Sequence, residues 1–496
     1  MIIAMMQKTR IILMTSLLIS TIYGYAQDAL TENFTFYYLE TFGSASTNGQ
    51  TPFWMVSNQQ GVVPIDNNNG YLQAGIFNRQ IIGKKIHWDT ELNIVYSTPR
   101  YRHAYIQHLY TEAAYKWIHL SIGSNNKYGF YNSLTNPRLS SGNLARSLNA
   151  RPIPEINLFI PTFVTIPKTK EWLQVKGHFA VGRSFDSDYI KSFINNQEEH
   201  VENVLWHHKS LTFRVKDAKN NFPLSATLGI HHTAQWGGTS TNPELGKQPQ
   251  TLKDFIRIIL GKPGGEDASH SAIENVLGAH YGVYDFGLGF EEKDWSISTY
   301  YQHLFNDKSG MEFRNKGDGL KGIQVNLNKI PWLQSIVIEH LSTLNQSGPF
   351  HFIEFDHQKY PGSGGGADNY YNNGEYTTGA SYFNRSLGSP LLLSPEYNTN
   401  GELGFRHNRI RAWHLGAEGN VSSQIAYRIL LSNMESYGTA YKPTLKKLTA
   451  TSFTTDLHYL RESWRFSASI ATDIGSLFGD HVGFSLSIAK QGLLRK

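Results

Sequence analysis

The sequence predicts an all-β protein: a transmembrane outer-membrane β-barrel of roughly 16–18 antiparallel strands, with a small N-terminal periplasmic segment and a short helix in one loop. The first observation behind this is alternation near the C-terminus. In Trp464–Gly475, Trp464, Phe466, Ala468, Ile470, Thr472 and Ile474 share one face. Arg465, Ser467, Ser469, Ala471, Asp473 and Gly475 share the other. In Val482–Ala489, Val482, Phe484, Leu486 and Ile488 alternate with Gly483, Ser485, Ser487 and Ala489. Neighbouring residues of a strand point to opposite faces, so one face is bulky and apolar and the other small or polar. A soluble sandwich charges its outer face, whereas a membrane barrel turns an apolar face to lipid and a polar face to its lumen.

Composition is the second observation. Charged residues make up 17% of the 496 and aromatics 13%, with 27 Tyr, 27 Phe and 10 Trp, against about 25% charged in soluble chains. This suits a lipid-facing belt with aromatic girdles, although aromatic-rich carbohydrate-binding enzymes share it. A mean hydropathy of −0.37 fits a barrel, in which half of each strand is polar. The third observation is the parity of connections. Links at Glu292–Asp294, Lys329–Pro331, Gly419–Ser422 and Arg461–Ser463 are tight, while those at Phe305–Asp318, Asn345–Asn408 and Glu435–Leu448 are long. Short periplasmic turns alternating with long outer loops are the habit of outer-membrane barrels. With the C-terminus periplasmic, the long loops fall outside, and Ser476–His481 is an outer link of intermediate length.

In chain order, residues 1–26 read as a signal peptide: Lys8 and Arg10, the apolar run Ile11–Ile22, and Gly24-Tyr25-Ala26 as cleavage site. No later segment has the 18 or so apolar residues a membrane helix needs. Residues 27–70 read as an N-terminal periplasmic segment packed against the barrel mouth. Within it, Phe34–Thr41 is a helix or a strand, and Asp66–Gly70 is a turn lacking the acidic ligands of a calcium loop. The barrel, residues 71–496, begins with strands Tyr71–Ile81, Lys85–Tyr96, Arg102–Tyr115 and Lys116–Gly123. Asn125–Pro167 interrupts them, with room for one strand near Ile156–Ile166, before Glu171–Arg183, Asn203–Lys216 and Pro223–Gln235. The second half is clearer: a strand begins at Val276 and another at Trp295, followed by Gly322–Asn328, Leu333–Leu344, Arg409–Glu418, Ser423–Asn433 and Thr451–Tyr459. The long extracellular loops are chiefly 235–276 and 345–408. In the first, Thr251 caps a helix whose Leu252, Phe255, Ile256 and Ile259 repeat at helical spacing, ended by Gly261 and Pro263. It either caps the lumen or packs on an outer loop.

Several function classes are excluded. The net charge of +5, or 5 − 2 = +3 without Lys8 and Arg10, is too weak and diffuse for nucleic acid. The absence of Cys removes disulfides, thiolate metal sites, a cysteine nucleophile and a lipoprotein anchor. G-x-S-x-G, H-E-x-x-H, Walker and G-x-G-x-x-G motifs are missing. His207-His208 and His231-His232 lie in predicted strands, where neighbours face opposite ways, so neither pair chelates a metal from one face. No catalytic residue, metal or cofactor is therefore expected.

Two stretches carry the candidate site. Pro137–Pro154 presents Arg138, Arg146 and Arg151 among Ser, Asn and Gly. A guanidinium fork suits carboxylates, either those of uronic acids or those of lumen-facing acids that hold the loop to the wall. Tyr360–Pro390 contains Gly362–Gly366, then Asp368, Tyr370 and Tyr371 among asparagines, then Tyr376, Tyr382 and Arg385. Tyr rings stack on the apolar faces of sugars while Asn and Asp bond their hydroxyls; the same composition also orders a long loop.

At these residues the chain resembles a known family. Pro52-Phe53-Trp54 with Asn58-Gln59 and Gly61, Ser141-Gly142-Asn143 through Asn149–Pro154, Gln235-Trp236-Gly237-Gly238, Leu252–Phe255 with Leu260-Gly261-Lys262, and Gly365–Tyr371 look like the Wzi-type capsule assembly proteins in their Bacteroidetes-like form. The resemblance implies an outer-membrane barrel with a small periplasmic helical part and a lectin-like role toward capsular or exopolysaccharide. It adds Trp236 to the binding candidates Arg138, Arg146, Arg151, Asp368, Tyr370, Tyr371 and Arg385. Expected partners are that polysaccharide, outer-membrane lipid, the barrel-insertion machinery and a polysaccharide export complex. The alternative function is a channel or transporter for small solutes or oligosaccharides. The chain departs from common outer-membrane barrels by ending on Lys496, leaving Phe484-x-Leu486-x-Ile488 as the recognisable insertion pattern.

Overall fold

The computed structural model describes residues 33–83, 85–99, 103–127, 134–194, 198–219, 221–348, 366–399 and 401–495. The expected signal peptide, Arg102, Tyr360, Gly362–Gly365 and Lys496 lie outside them.

Eighteen strands form one sheet, each pairing antiparallel with its neighbours in sequence. They are β1 (Phe34–Gln50), β2 (Asp66–Ile82), β3 (Ile86–Thr98), β4 (Ala104–Tyr115), β5 (Ile118–Ser124) and β6 (Glu155–Thr165). Then come β7 (Leu173–Arg183), β8 (Leu205–Lys216), β9 (Leu224–Trp236), β10 (Ala279–Glu291), β11 (Trp295–Phe305) and β12 (Gly319–Leu327). The last six are β13 (Ser335–Ser342), β14 (Ile410–Asn420), β15 (Ile425–Gly438), β16 (Pro443–Arg461), β17 (Trp464–Ile474) and β18 (His481–Arg495). The ring closes where β1 pairs with β18, Thr41 facing Ile488 and Ala45 facing Phe484. A closed ring leaves no strand edge to face lipid.

That closure corrects the reading of residues 27–70 as a periplasmic segment. Phe34–Gln50 is a barrel strand, and Asp66–Gly70 is the start of β2 rather than a turn. The sequence disguised β1 because its large residues face inward: Phe34, Phe36 and Tyr38 pack with Phe77 inside the lumen. The strand near Ile156–Ile166 is present as β6. A second correction concerns Glu435–Leu448, expected as a long link. β15 and β16 run on past the rim and meet through residues 439–442, forming an overhanging hairpin.

Connection lengths segregate by end. At one end the links 83–85, 116–117, 166–172, 217–223, 292–294, 328–334, 421–424 and 462–463 contain seven residues or fewer. At the other end stand all the long ones: 51–65, 125–154, 184–204, 237–278, 306–318 and 343–409. The exterior carries exposed Leu72, Ile94, Ile122, Leu158, Leu211, Leu228, Leu288, Ile338, Ile470 and Leu486. Exposed Trp88, Trp117, Trp172, Trp295, Trp332 and Trp464 gather at the short-turn end, the placement of an interfacial aromatic girdle. No helix among the described residues is long and apolar enough to cross a membrane. The molecule is a transmembrane barrel that crosses on strands.

The lipid face makes a quantitative prediction. Leu228 lies near the middle of β9 and points outward, so Leu228→Arg costs about 2–4 kcal/mol. The same change at the neighbouring lumen-facing Thr227 costs clearly less. Denaturant unfolding from lipid vesicles measures both.

Candidate functional site

An 18-strand ring encloses more space than wall side chains fill, and here the chain's own loops occupy it from the long-loop end. Link 51–65 begins with a single helical turn, α1 (Phe53–Val56). The Phe53 backbone N–H donates to Asp473 on β17 at 2.8 Å, and Trp54 Nε1 to Ser432 on β15 at 3.2 Å. Residues 134–154 reach deepest. Asn136 Nδ2 and Arg138 Nε donate to the two oxygens of Glu418, near the short-turn end of β14, at 2.6 and 3.1 Å. Glu339 on β13 accepts from Ser140 Oγ at 2.6 Å, the Ser141 backbone at 2.7 Å and Tyr300 Oη at 2.5 Å. The Leu144 backbone N–H donates to Gln302 on β11 at 2.9 Å.

The third loop, 343–409, locks onto the second. Tyr371 Oη donates to the Leu144 carbonyl at 2.5 Å, and Asn149 Nδ2 to the Ser386 carbonyl at 3.2 Å. Between the loops and the inward faces of β10–β15 lies an apolar core containing Phe53, Trp54, Leu139, Leu144, Tyr370, Leu392, Val337 and Ile410. The outer half of the lumen is thus packed like a soluble protein.

Seven of the eight candidates from the sequence are buried in this assembly or against the wall, and Arg138 is half-buried at its inner end. Arg138 pairs with Glu418, Arg146 with Glu155 at 3.0 Å, and Arg385 with Glu396. Arg385 Nη2 also donates to the Val63 carbonyl at 3.0 Å, joining the first and third loops. Arg151 is sandwiched between Tyr105 and Phe383, 3.8 and 4.1 Å from the ring centres. Tyr370 Oη accepts from Asn315 and donates to Asp318. Asp368 accepts from Ser347 Oγ at 2.6 Å. Burial, with Asp307 and Asp318 nearby, pushes its carboxyl up to about 7; burial likewise raises Asp186, which accepts from the Phe383 backbone, to about 6. The eight residues do not converge on one open pocket. Arginines and tyrosines hold the cap together, and the half-buried Asn369, Asn372 and Asn373 lie on its surface.

Trp236 stands apart, on the outer wall, stacked on Phe255 of the helix in loop 237–278 at 5.3 Å. That helix lies outside the barrel, which removes the expectation that it caps the lumen; it is the packing helix of an outer loop. The two His pairs split as alternation requires. His207 and His232 face outward, whereas His208 and His231 face the lumen, His231 bonded to Asp285 at 2.7 Å. Among the described residues no three His, Asp or Glu side chains gather as a metal site.

The lower half of the lumen holds a vestibule that the candidates largely missed. With its open mouth it encloses about 1000 Å³, and Trp54, Met55, Val63 and Arg138 close it above. Its wall carries Arg428 bonded to Asp456 at 2.6 Å, Arg465 bonded to Glu40 at 3.2 Å, and His458 against Ser467 at 2.9 Å. Ser469, Ser485 and Ser487 complete one side. The signal was present: Arg465, Ser467, Ser469, Ser485 and Ser487 form the small, polar face of the last two strands.

No protein-family model matches the chain, and no curated protein matches it in sequence. Its fold is similar to that of Wzi from Escherichia coli, described as an outer membrane protein involved in group 1 capsule assembly and a carbohydrate-binding β-barrel. The match has a TM-score of 0.55 and 14% identity, covering 95% of this chain and 86% of that one. OccK5 (OpdH) of Pseudomonas aeruginosa matches at a TM-score of 0.44 and 10% identity, covering 93% and 98%. OpdL of the same organism matches at 0.47 and 8%, covering 93% and 99%.

Two predictions test this assembly. Glu339→Ala strips three donors of their acceptor and loosens residues 134–154 by roughly 3–5 kcal/mol. Tryptic cleavage after Arg138 and Arg146 becomes fast while the barrel keeps its heat-modifiable migration. The second is pH dependence. Asp368 holds its proton more tightly folded than unfolded, so its contribution is complete at low pH and is lost as pH rises from about 4 through about 7, a change on the order of a few kcal/mol. Protease protection of the third loop declines over that range, and Asp368→Asn removes most of the decline.

Proposed function

We propose that this chain is a non-enzymatic outer-membrane protein with a lectin-like role, holding capsular or exopolysaccharide at the cell surface and assisting its assembly there. The observation that carries the reading is the lumen filled by the chain's own outer loops. A diffusion channel needs an aqueous path, whereas here ion pairs, backbone-directed side chains and an apolar core occupy that path. Among the described residues, Asn369, Asn372 and Asn373 lie half-buried at the surface of that filling. The fold similarity to a capsule-assembly barrel whose description includes carbohydrate binding supports the same reading.

In this reading Arg138, Arg146, Arg151, Asp368, Tyr370, Tyr371 and Arg385 set the shape of the cap, and Trp236 seats its flanking helix. Asn372 and Asn373 spend part of their amides on the loop itself, accepting from the Phe405, Glu375 and Tyr376 backbone N–H groups, and in this reading the amide capacity left over meets sugar hydroxyls. Individual contacts of this kind are weak, and a repeating polymer multiplies them into avidity. The chain would reach the outer membrane after signal cleavage near Ala26, through the barrel-insertion machinery, and act beside a polysaccharide export complex.

A deletion strain tests this, with cell-attached and shed glycan quantified separately. The expected result is glycan made in normal amount but shed. Wild-type chain restores attachment, while Arg151→Ala/Tyr370→Ala, which disrupts the cap, and Asn373→Ala, at its surface, do not, although both variants still reach the outer membrane. Unchanged attachment together with altered solute uptake and open conductance in planar bilayers would replace this reading with a channel.

A further inference from the structure

We propose that α3 (Leu252–Leu260), on the outer wall near the long-loop rim, is inserted edgewise into the outer lipid leaflet and tethers the loop cap to the membrane. (α2, Ser187–Phe193, is the short helix of link 184–204.) The inference does not depend on the glycan reading; it needs only the barrel's place in a bilayer.

The helix has three sectors, about 100° of turn separating successive residues. Ile258 faces the barrel, buried with Ala234, Trp236, Ala272 and Leu277, and Phe255 packs its ring against Phe179, His207 and Trp236. Leu252, Ile256 and Leu260 turn away from the wall, 75%, 50% and 57% exposed. Arg257 occupies the remaining sector, and Lys253 lies at its border with the apolar one. In water that second apolar sector is a cost with no return; beside acyl chains it is a continuation of the belt. The continuity is direct. Lys209 on β8 donates through Nζ to the Ile259 carbonyl, and the next outward residue on that strand, Leu211, is exposed beside exposed Ile230 of β9.

Both helix ends are capped, which suits a low-water setting. At the start, Thr251 and Asp254 exchange the reciprocal bonds of a capping box. At the end, Gly261 takes the left-handed conformation at φ 58°, its N–H and that of Lys262 turning back onto Ile258 and Arg257 at 3.3 and 2.9 Å. The Lys209 ammonium covers one more terminal carbonyl. Arg257 pairs with Asp254 at 2.9 Å, which neutralises its charge beside the lipid surface.

The link to the cap runs through the rest of the loop. α4 (His270–Glu274) is capped by Ser269, whose hydroxyl donates to Glu375 of the third loop. Tyr376 Oη donates to the Gly237 carbonyl at 3.2 Å. A helix held in lipid therefore fixes the flank of the cap.

The absence of cysteine makes the test clean. Ile256→Cys, Leu260→Cys and Lys253→Cys are each labelled with a nitroxide in the full chain reconstituted into phosphatidylcholine bilayers. Power saturation against oxygen and an aqueous nickel chelate gives depth, and heat-modifiable migration confirms that each variant is folded. The oxygen-to-nickel accessibility ratio is expected to be several-fold higher at Ile256 and Leu260 than at Lys253. Equal, nickel-dominated accessibility at all three positions would overturn the proposal. So would spin–spin broadening between labels at Ile256, which would make a second copy of the chain the occupant of this face.

Discussion

Where its own loops fill it, the interior of this closed 18-strand ring must be satisfied without help from bulk water, and most of this structure follows from how that is done. Every strand turns half its side chains inward, and the rear of the lumen is lined with groups that carry charge. Arg79 meets Asp89 through two bonds of 2.7 Å, and Lys127 meets Glu112 at 2.5 Å. Loops bring the remaining partners: Arg138 to Glu418, Arg146 to Glu155. Removing one member of such a pair strands the other, which costs far more than the pair contributes. The ion pairs therefore fix where each loop can sit more than they add to stability.

This division gives the lumen two different halves. Toward the long loops, inward positions of β10–β14 are mostly large and apolar, Val283, Leu304, Leu341 and Ile410 among them, and they share one core with loop residues. Toward the short turns, inward positions of β15–β18 become Arg, Asp, His and Ser around the vestibule. The glycines mark where the packing is tightest. A Cβ on Gly416 would lie 2.2 Å from the Leu139 carbonyl oxygen, and one on Gly388 would lie 2.0 Å from Tyr371 Oη. The second and third loops approach wall and each other at those points because nothing protrudes there.

What the sequence reveals depends on which half a residue faces. β17 and β18 were legible because one face meets lipid and the other a polar vestibule, so bulk and polarity alternate along most of their length. β1 was not, since Phe34, Phe36 and Tyr38 fill the lumen and reverse the expected sense of the pattern. The arginines of Pro137–Pro154 were visible as a cluster, with carboxylates of sugar or wall as alternative partners. Only the fold brings Glu418, 280 residues away, to Arg138. Arg428 escaped notice for a related reason: one arginine on a strand has no local signature, and the Asp456, Arg138 and Trp54 that make it part of a cavity come from distant elements.

The helix in loop 237–278 shows the limit of periodicity most clearly. Spacing at i, i+3, i+4 and i+7 identifies an apolar stripe but not the medium that it meets. Lumen, wall and lipid all accept it. The structure divides the decision between residues: Ile258, outside the recognised stripe, supplies the contact with the wall, while Leu252 and Ile256, its nominal core residues, point away. Of the stripe, Phe255 alone packs its ring on the wall, against Phe179, His207 and Trp236. With Lys209 holding the helix C-terminus and Glu375 receiving Ser269, the same loop touches wall, cap and the lipid-facing surface. A cap held to wall and flank in this way keeps one shape, so that contacts made at its surface are not spent on ordering the loops.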